Sequence, residues 1–246
     1  MKSKRTHDQL YLNEYRYDEP KETFKFLAQK AFMQEDKGKN LNICDVGCAA
    51  GEFLYYLRSI LPNARLTGID IMPELIEKCS QFVPSAELEV GSVLDSELRS
   101  TNEFDLTFLV GVHSIFDEFE TCFDNLINWT VPGGSIYIFG MFNPYPLDVL
   151  IKHKESTEYT SDIYESGWNI FSQQSVTSYL EKKEQVKSVA FHEFEIGIDM
   201  LKQEDPVRSW TFQTYSGNRI ITNGLCLLEP FYLLEIKLLS QTECHT

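Results

Sequence analysis

Short apolar runs alternate with amphipathic segments from Leu41 to Met141. Apolar runs bounded by turn residues predict buried strands, and apolar residues three and four positions apart predict helices. The predicted strands are Leu41–Val46, Arg65–Ile71, Ala86–Val90, Phe104–Val110 and Ser135–Met141. This alternation is typical of a doubly wound α/β fold with a mostly parallel sheet.

The segments on either side of this region are less regular. An N-terminal lead and helix, residues 1–40, carries apolar residues on one helical face from Phe24 to Phe32, with a predicted end near Gly38. Beyond Met141 we predict a short helical piece at Leu147–His153, a helix to about Lys183 with Ser172 as its N-cap, a strand Val186–Ile198, a hairpin of Trp210–Thr214 with Arg219–Thr222, and a last strand Phe231–Leu239.

Long irregular insertions in compact domains are often functional. We therefore expect residues 142–172 and 199–228 to form lids over a substrate, within a single domain of residues 1–246.

Composition narrows the choice of partners and location. The chain has 246 residues, 43% of them hydrophobic, and a formal net charge of -15, which argues against binding a phosphate backbone. Its six cysteines have no paired spacing, and Cys44 and Cys48 lack a second pair, so reduced thiols are expected and a metal site is not. The sequence contains no predicted signal peptide or membrane span. These features predict a cytoplasmic protein that binds neither nucleic acid nor membrane.

One strand-turn-helix unit stands out, reading LNICDVGCAAGEFLYYL from Leu41 to Leu57. Gly47 and Gly51 allow a sharp bend without side chains against a ligand, and the unpaired amides of the helix start face outward. The order Asp45-x-Gly47-x-Ala49-x-Gly51 differs from the G-x-G-x-x-G turn of dinucleotide-binding proteins. The turn therefore predicts a nucleotide-like ligand other than a dinucleotide.

Asp70 closes the next apolar run, roughly 20 residues beyond the turn, where doubly wound folds place the acid that binds ribose hydroxyls. A carboxylate can accept two hydrogen bonds from a vicinal diol. An ordinary solvated aspartate at a strand end is the other interpretation.

These two motifs, with the helix, Pro-Gly-Gly, strand order around Pro132, resemble class I S-adenosylmethionine-dependent methyltransferases from Asn40 to Met141. The resemblance implies a Rossmann-like, seven-stranded sheet of order 3-2-1-4-5-7-6 with helices on both faces. It also implies S-adenosylmethionine as cofactor and S-adenosylhomocysteine as product. Ser92 occupies the position where many members carry the acid that binds the adenine amino group. The implied cofactor contacts are Tyr15, Arg16, Asp45, Gly47, Cys48, Ala49, Gly51, Asp70, Ile71, Ser92, Val93 and Val110.

His113 follows the fourth strand, so it is expected on the rim where cofactor and acceptor meet. A neutral imidazole could accept the acceptor's proton near pH 7, which makes His113 the candidate catalytic base. Asp117 and Glu118 could orient it or replace it, and a packing histidine is the competing interpretation. A metal-dependent mechanism is disfavoured because no carboxylate cluster follows this strand.

The segments GWNIFS and GNRIITNGLCLLEPFYLLEIK resemble small-molecule methyltransferases of bacterial surface-polysaccharide gene clusters, which favours a sugar-like hydroxyl as acceptor. The pocket candidates are Asn143, Asp148, Trp168, Asn169, Arg208, Trp210, Arg219 and Asn223. Transfer to nitrogen or a carboxylate, a noncatalytic cofactor-binding partner subunit, a nicotinamide dehydrogenase on the same scaffold and a homodimer remain open.

Overall fold

A computed structural model describes residues 11–13, 15–32, 38–154, 164–202 and 208–243. The helices are α1 (Glu22–Ala31), α2 (Glu52–Ile60), α3 (Pro73–Phe82), α4 (Glu120–Trp129) and α5 (Gln173–Leu180). The strands are β1 (Asn42–Val46), β2 (Arg65–Asp70), β3 (Glu87–Val90), β4 (Phe104–Val110), β5 (Thr130–Asn143), β6 (Lys152–His153), β7 (Glu165–Ser166), β8 (Phe171–Ser172), β9 (Val186–Glu193), β10 (Trp210–Gln213), β11 (Arg219–Thr222) and β12 (Phe231–Leu238).

The main sheet has the order β3-β2-β1-β4-β5-β12-β9, with β8 paired to the end of β5. Strands β3, β2, β1, β4 and β5 are parallel, and β12 is antiparallel to both β5 and β9. If the short strands are left out of the count, this is the order 3-2-1-4-5-7-6 that the resemblance implied. The prediction of a doubly wound, mostly parallel sheet is confirmed.

Alternating residues of β5 separate the core into two layers. Ile136 and Ile138 pack with the apolar faces of α4 and α5. Tyr137 and Phe139 point to the other side and belong to the cluster that contains α1, α2 and α3. Each face of the sheet therefore carries helices, because successive side chains of a strand point to opposite faces.

Several predicted boundaries need correction. Helix α1 ends at Ala31 rather than near Gly38. The sequence also predicts a helix Asp117–Trp129, but α4 begins at Glu120, after a separate 3₁₀ turn at His113–Ile115. Strand β5 starts at Thr130 and continues through the Pro-Gly-Gly sequence, with a register irregularity opposite Phe104 and Leu106. The Ser172 N-cap is confirmed, because its hydroxyl accepts a hydrogen bond from the amide of Ser175 at 3.0 Å.

The helical piece predicted at Leu147–His153 is wrong. Val149 forms an antiparallel bridge with Ile170, and β6 pairs with β7, so the two ends of this insertion are extended and lie against each other. The predicted hairpin is present: β10 and β11 pair in antiparallel fashion, and residues 215–218 lie in the turn between them.

Two expectations from composition can also be compared with the structure. None of the described helices is long and apolar enough to cross a membrane. Cys44, Cys48, Cys79 and Cys122 are buried free thiols, whereas Cys226 is a free thiol on the surface. Cys244 lies outside the described residues.

Candidate cofactor and acceptor site

The turn between β1 and α2 is built from left-handed backbone conformations. Gly47, Ala49 and Gly51 have φ angles of 75°, 48° and 82°. A Cβ atom on Gly47 would lie 2.3 Å from Val112 Cγ2, and one on Gly51 would lie 2.2 Å from Cys79 Sγ. Both glycines are therefore required by the bend and by close packing. Ala49 adopts the same conformation at a steric cost of roughly 1–2 kcal/mol.

Asp70 ties this turn to the neighbouring strand. Its Oδ2 accepts a hydrogen bond from the amide of Ala49 at 2.9 Å, and its Oδ1 accepts one from the amide of Met72 at 2.9 Å. Burial raises the pKa of Asp70, and these backbone amides oppose the increase. Each carboxylate oxygen keeps a second lone pair for a ligand.

Asp45 lies buried beneath the turn, and its Oδ1 has no hydrogen-bond partner among the described residues. Burial, followed by the negative charge of Asp70, raises the pKa of Asp45 to about 7. A buried carboxylate without a partner is costly, so the site is suited to a ligand that brings hydrogen-bond donors or positive charge.

Apolar side chains line the edge of the sheet beside Asp70. Ile71 is 65% exposed directly after β2, and Val90 is 47% exposed at the end of β3. Next to them the Ser92 hydroxyl accepts from the amide of Leu94, while Val93 is buried. Val110 is half-buried at the end of β4. An exposed aliphatic surface at this edge is suited to the face of a planar base.

The N-terminal lead packs over the turn through Tyr17. Its ring stacks on Phe82 with centroids 3.9 Å apart, and its hydroxyl donates to the carbonyl of Ala50 at 2.7 Å. Tyr15, one of the predicted contacts, is 59% exposed and meets Tyr17 edge-on. The predicted contact Arg16 is exposed too.

Tyr11 joins this cover to the second insertion. Tyr11 packs against the buried cluster of Ala50, Met72 and Leu75, while Lys78 Nζ lies within hydrogen-bond distance of the Tyr11 carbonyl. The guanidinium of Arg208 lies 5.6 Å from the centre of the Tyr11 ring. The predicted lid and the predicted lead are therefore in contact above the turn.

His113 does not lie on the open rim. It is fully buried, its ring stacks on Phe142 with centroids 4.5 Å apart, and its Nε2 is 3.2 Å from the carbonyl oxygen of Met141. Burial lowers the pKa of His113 to about 4. A Cβ on Gly140 would lie 2.2 Å from His113 Cε1, so the absence of a side chain at Gly140 makes room for the imidazole. The expected position on the rim is corrected, and the packing interpretation fits this placement.

Asn169 connects the first insertion to the loop after β4. Its Oδ1 accepts from the amide of Ile151 at 2.7 Å, and its Nδ2 donates to the carbonyl of Phe116 at 2.7 Å. Asp117, exposed nearby, accepts from Ser166 at 2.7 Å. The hydrogen bond from Ser166, and then the ion pair with Lys152, lower the pKa of Asp117 and engage its carboxylate within the insertion.

Other predicted pocket residues are held by local contacts. Asn143 accepts from the amide of Tyr145 and donates to the carbonyl of Leu147, which shapes the turn after β5. Asp148 accepts from the amide of Ser172 and the hydroxyl of Ser175 at the start of α5. Trp168 has a φ of 58° and its ring meets His153.

The second insertion brings together some of its predicted residues and separates others. Trp210 is buried at the base of the β10–β11 hairpin, and Arg219 lies toward its tip, paired with Asp199 at 2.8 Å. Asn223 is 1% exposed and donates through Nδ2 to Glu229 at 2.9 Å. Sequence reasoning missed Glu229, whose only signal was a charged residue in the otherwise apolar run LCLLEPFYLL.

A cavity of about 330 Å³ lies at the opposite edge of the sheet, between Asp105 and the Gly133–Gly134 turn. It contains none of the predicted site residues, and it faces the amino ends of the parallel strands. Ligands of open α/β sheets bind at the carboxyl ends, so we assign the site to the edge that carries the turn and Asp70.

Comparison with known proteins gives a consistent result. Residues 37–190 match a family model described as a methyltransferase domain. No curated protein matches the chain in sequence. A SAM-dependent methyltransferase from Methanosarcina mazei has a similar fold, with a TM-score of 0.55 and 15% identity over 87% of this chain and 98% of that chain. The N-methyltransferase NodS from Bradyrhizobium japonicum, solved with S-adenosyl-L-homocysteine, is similar too, with a TM-score of 0.56 and 17% identity over 94% of this chain and 96% of that chain. A third similar structure is a chain from the complex between the Haloferax volcanii Trm112 methyltransferase activator and a protein described as a methyltransferase. Its TM-score is 0.61, with 14% identity over 96% of this chain and 100% of that chain.

Proposed function

This chain belongs to the methyltransferase domain family, and we propose that it transfers the methyl group of S-adenosylmethionine to a hydroxyl of a small, sugar-like acceptor. The expectation of a class I methyltransferase is confirmed by the family and the fold. The acceptor class rests on the resemblance of the C-terminal segments and stays a proposal, as do a homodimer and a cytoplasmic location.

One observation carries the cofactor assignment: the left-handed turn from Gly47 to Gly51 closes on Asp70 above the unpartnered Oδ1 of Asp45. Asp70 offers lone pairs for a ribose diol, and Asp45 offers a buried negative charge for the amino group of the methionyl portion. Ile71 and Val90 offer aliphatic contact to the adenine. These residues fit S-adenosylmethionine.

When bound, the cofactor supplies a methyl carbon already activated by a sulfonium. The protein then has to hold the acceptor in line with that carbon, exclude water and remove a proton from the acceptor. The contact of Tyr11 with Arg208 supports a covering role for the lead and the second insertion.

Calorimetric titration with S-adenosylhomocysteine and with NAD tests the proposed cofactor. We expect the first to bind and the second not to bind; binding of NAD alone would favour a dehydrogenase. Asp70→Ala should weaken S-adenosylhomocysteine binding by at least about 1 kcal/mol, roughly fivefold, because a hydrogen-bonded carboxylate is lost. Asp124→Ala, on α4 and across the sheet from the helix α2 that follows the turn, is the matched control and should leave the affinity unchanged. Unchanged affinity in the Asp70 variant would refute the ribose contact.

A further inference from the structure

Glu229 is a buried carboxylate whose contacts leave one oxygen free. It is 5% exposed, and its Oε1 accepts a hydrogen bond from Asn223 Nδ2 at 2.9 Å. Its Oε2 has no hydrogen-bond partner among the described residues. Leaving a buried carboxylate oxygen unsatisfied is costly, so a group is expected to approach it from outside this set of contacts.

Backbone pairing places Glu229 at the carboxyl edge of the parallel strands. The carbonyl of the next residue, Pro230, accepts from the amide of Phe142, one residue before the end of β5. The loop after β4 begins beside the last residues of β5, because the amide of Gly111 donates to the carbonyl of Phe139. Glu229 is thus beside the strand ends at which open α/β sheets bind their ligands.

Residues next to Glu229 also connect it to the segments that pack over the turn between β1 and α2. Burial raises the pKa of Glu229 to about 6, and the polar side chains of Ser209 and Asn223 near the carboxylate oppose the increase. Arg208, the neighbour of Ser209, lies over Tyr11, which packs against the cluster that includes Ala50 of the turn. The carboxylate therefore lies between the end of β5 and the segment that covers the cofactor.

We propose that Glu229 is the general base of the transfer, with Oε2 receiving the proton of the acceptor hydroxyl while Asn223 fixes the carboxylate through Oε1. This inference rests on the proposed function of the same site. As the acceptor oxygen forms its new bond to the methyl carbon, the carbon–sulfur bond breaks with its electron pair retained by sulfur, and the hydroxyl proton passes to Glu229. His113, fully buried against Phe142, packs the loop and takes no part in the proton transfer.

Methyl transfer from tritium-labelled S-adenosylmethionine to a panel of hexoses and their methyl glycosides tests the assignment. Glu229→Gln should slow turnover by roughly 100-fold or more, the usual contribution of a general base, and should leave the affinity for S-adenosylhomocysteine within about twofold. With S-adenosylmethionine saturating, wild-type kcat should fall as the pH drops below about 6, where Glu229 takes up a proton, and this decrease should be missing in the variant. Glu193→Gln, an exposed glutamate on β9, is the matched control and should behave as wild type.

A second measurement does not depend on catalysis. A carboxylate with a raised pKa stabilises the fold least once it is ionised, so the wild type loses this contribution as the pH rises through about 6. Glu229→Gln should therefore melt a few degrees above the wild type at pH 8, with no difference near pH 4. Glu229→Asp, which keeps the charge but shortens the side chain, should retain the pH dependence at reduced turnover.

The outcomes separate this inference from the proposed function. If Glu229→Gln retains turnover within twofold, or gains no thermal stability at pH 8, Glu229 is not a buried base. If the wild type binds S-adenosylhomocysteine but methylates none of the sugars, the assigned acceptor site is overturned and the cofactor assignment stands. If S-adenosylhomocysteine does not bind at millimolar concentration, the proposed function itself fails.

Discussion

The two halves of the candidate site are built in different ways. On the cofactor side, backbone conformation shapes the site: Gly47 and Gly51 adopt left-handed angles within one strand-turn-helix unit. On the acceptor side, side-chain hydrogen bonds join segments far apart in sequence, as when Asn169 ties Ile151 to Phe116. The first design is local and tolerates little change at a few positions, whereas the second depends on the alignment of several irregular segments.

The largest effect expected from this contrast is on the cofactor side. Gly47→Ala adds a Cβ 2.3 Å from Val112 Cγ2 at a φ of 75°, so the turn must shift. Strain of this kind costs about 1–3 kcal/mol, and we expect the affinity for S-adenosylhomocysteine to fall by up to about 100-fold, measured by calorimetry. Gly197→Ala is the matched control, because nothing lies within 4 Å of its added Cβ. Equal affinity in both variants would contradict the backbone account of this half.

Asn169→Ala tests the acceptor side with the next largest effect. It removes the partners of the Ile151 amide and the Phe116 carbonyl, which should lower the free energy of unfolding by roughly 2 kcal/mol in urea denaturation. Methyl transfer should decrease with it, while S-adenosylhomocysteine binding stays within about twofold.

Asn143→Ala is the matched control for that substitution, since the side chain of Asn143 bonds within its own turn, to Tyr145 and Leu147. Its cost should stay within about 1 kcal/mol. If the two asparagine variants are equally destabilised, long-range side-chain bonding does not distinguish the acceptor half.

The same contrast explains what could be predicted from the sequence. The spacing of Asp45, Gly47, Gly51 and Asp70 indicates the cofactor half, because glycine and strand-end acids have a meaning that is local to the chain. Glu229 gave no such signal, since its importance depends on Asn223 and on burial beside Pro230, which only the folded chain brings together.

His113 and Leu147–His153 show how local reasoning fails in the acceptor half. The imidazole follows a strand end, as predicted, yet the space above Gly140 allows it to turn inward and stack on Phe142. The apolar residues near Leu147 suggested a helix, but the pairing of Val149 with Ile170 extends that segment. In both cases tertiary contacts override the local pattern.

A pH titration sharpens the account of the cofactor half. Asp45, with a pKa of about 7 in the free protein, is increasingly protonated below neutrality, whereas the positively charged amino group of the ligand favours the ionised carboxylate. The affinity for S-adenosylhomocysteine should therefore fall about tenfold from pH 8 to pH 6, about 1.4 kcal/mol. Asp45→Asn should bind more weakly at pH 8 and show little of this dependence. A wild-type affinity that is constant over this range would place the ligand's charge elsewhere.

The smallest expected effect concerns residues with positive φ angles, one in each half of the site. Ala49 and Trp168 both have positive φ angles, 48° and 58°, which glycine adopts without steric cost. Ala49→Gly relieves that cost but adds freedom to the unfolded chain, so a gain of under about 1 kcal/mol in unfolding free energy is expected. Trp168→Gly relieves the same strain but loses the ring contact with His153, and should destabilise the protein. Opposite signs would mean that the turn depends on its backbone and the insertion on its side chains; a gain from both substitutions would remove that distinction.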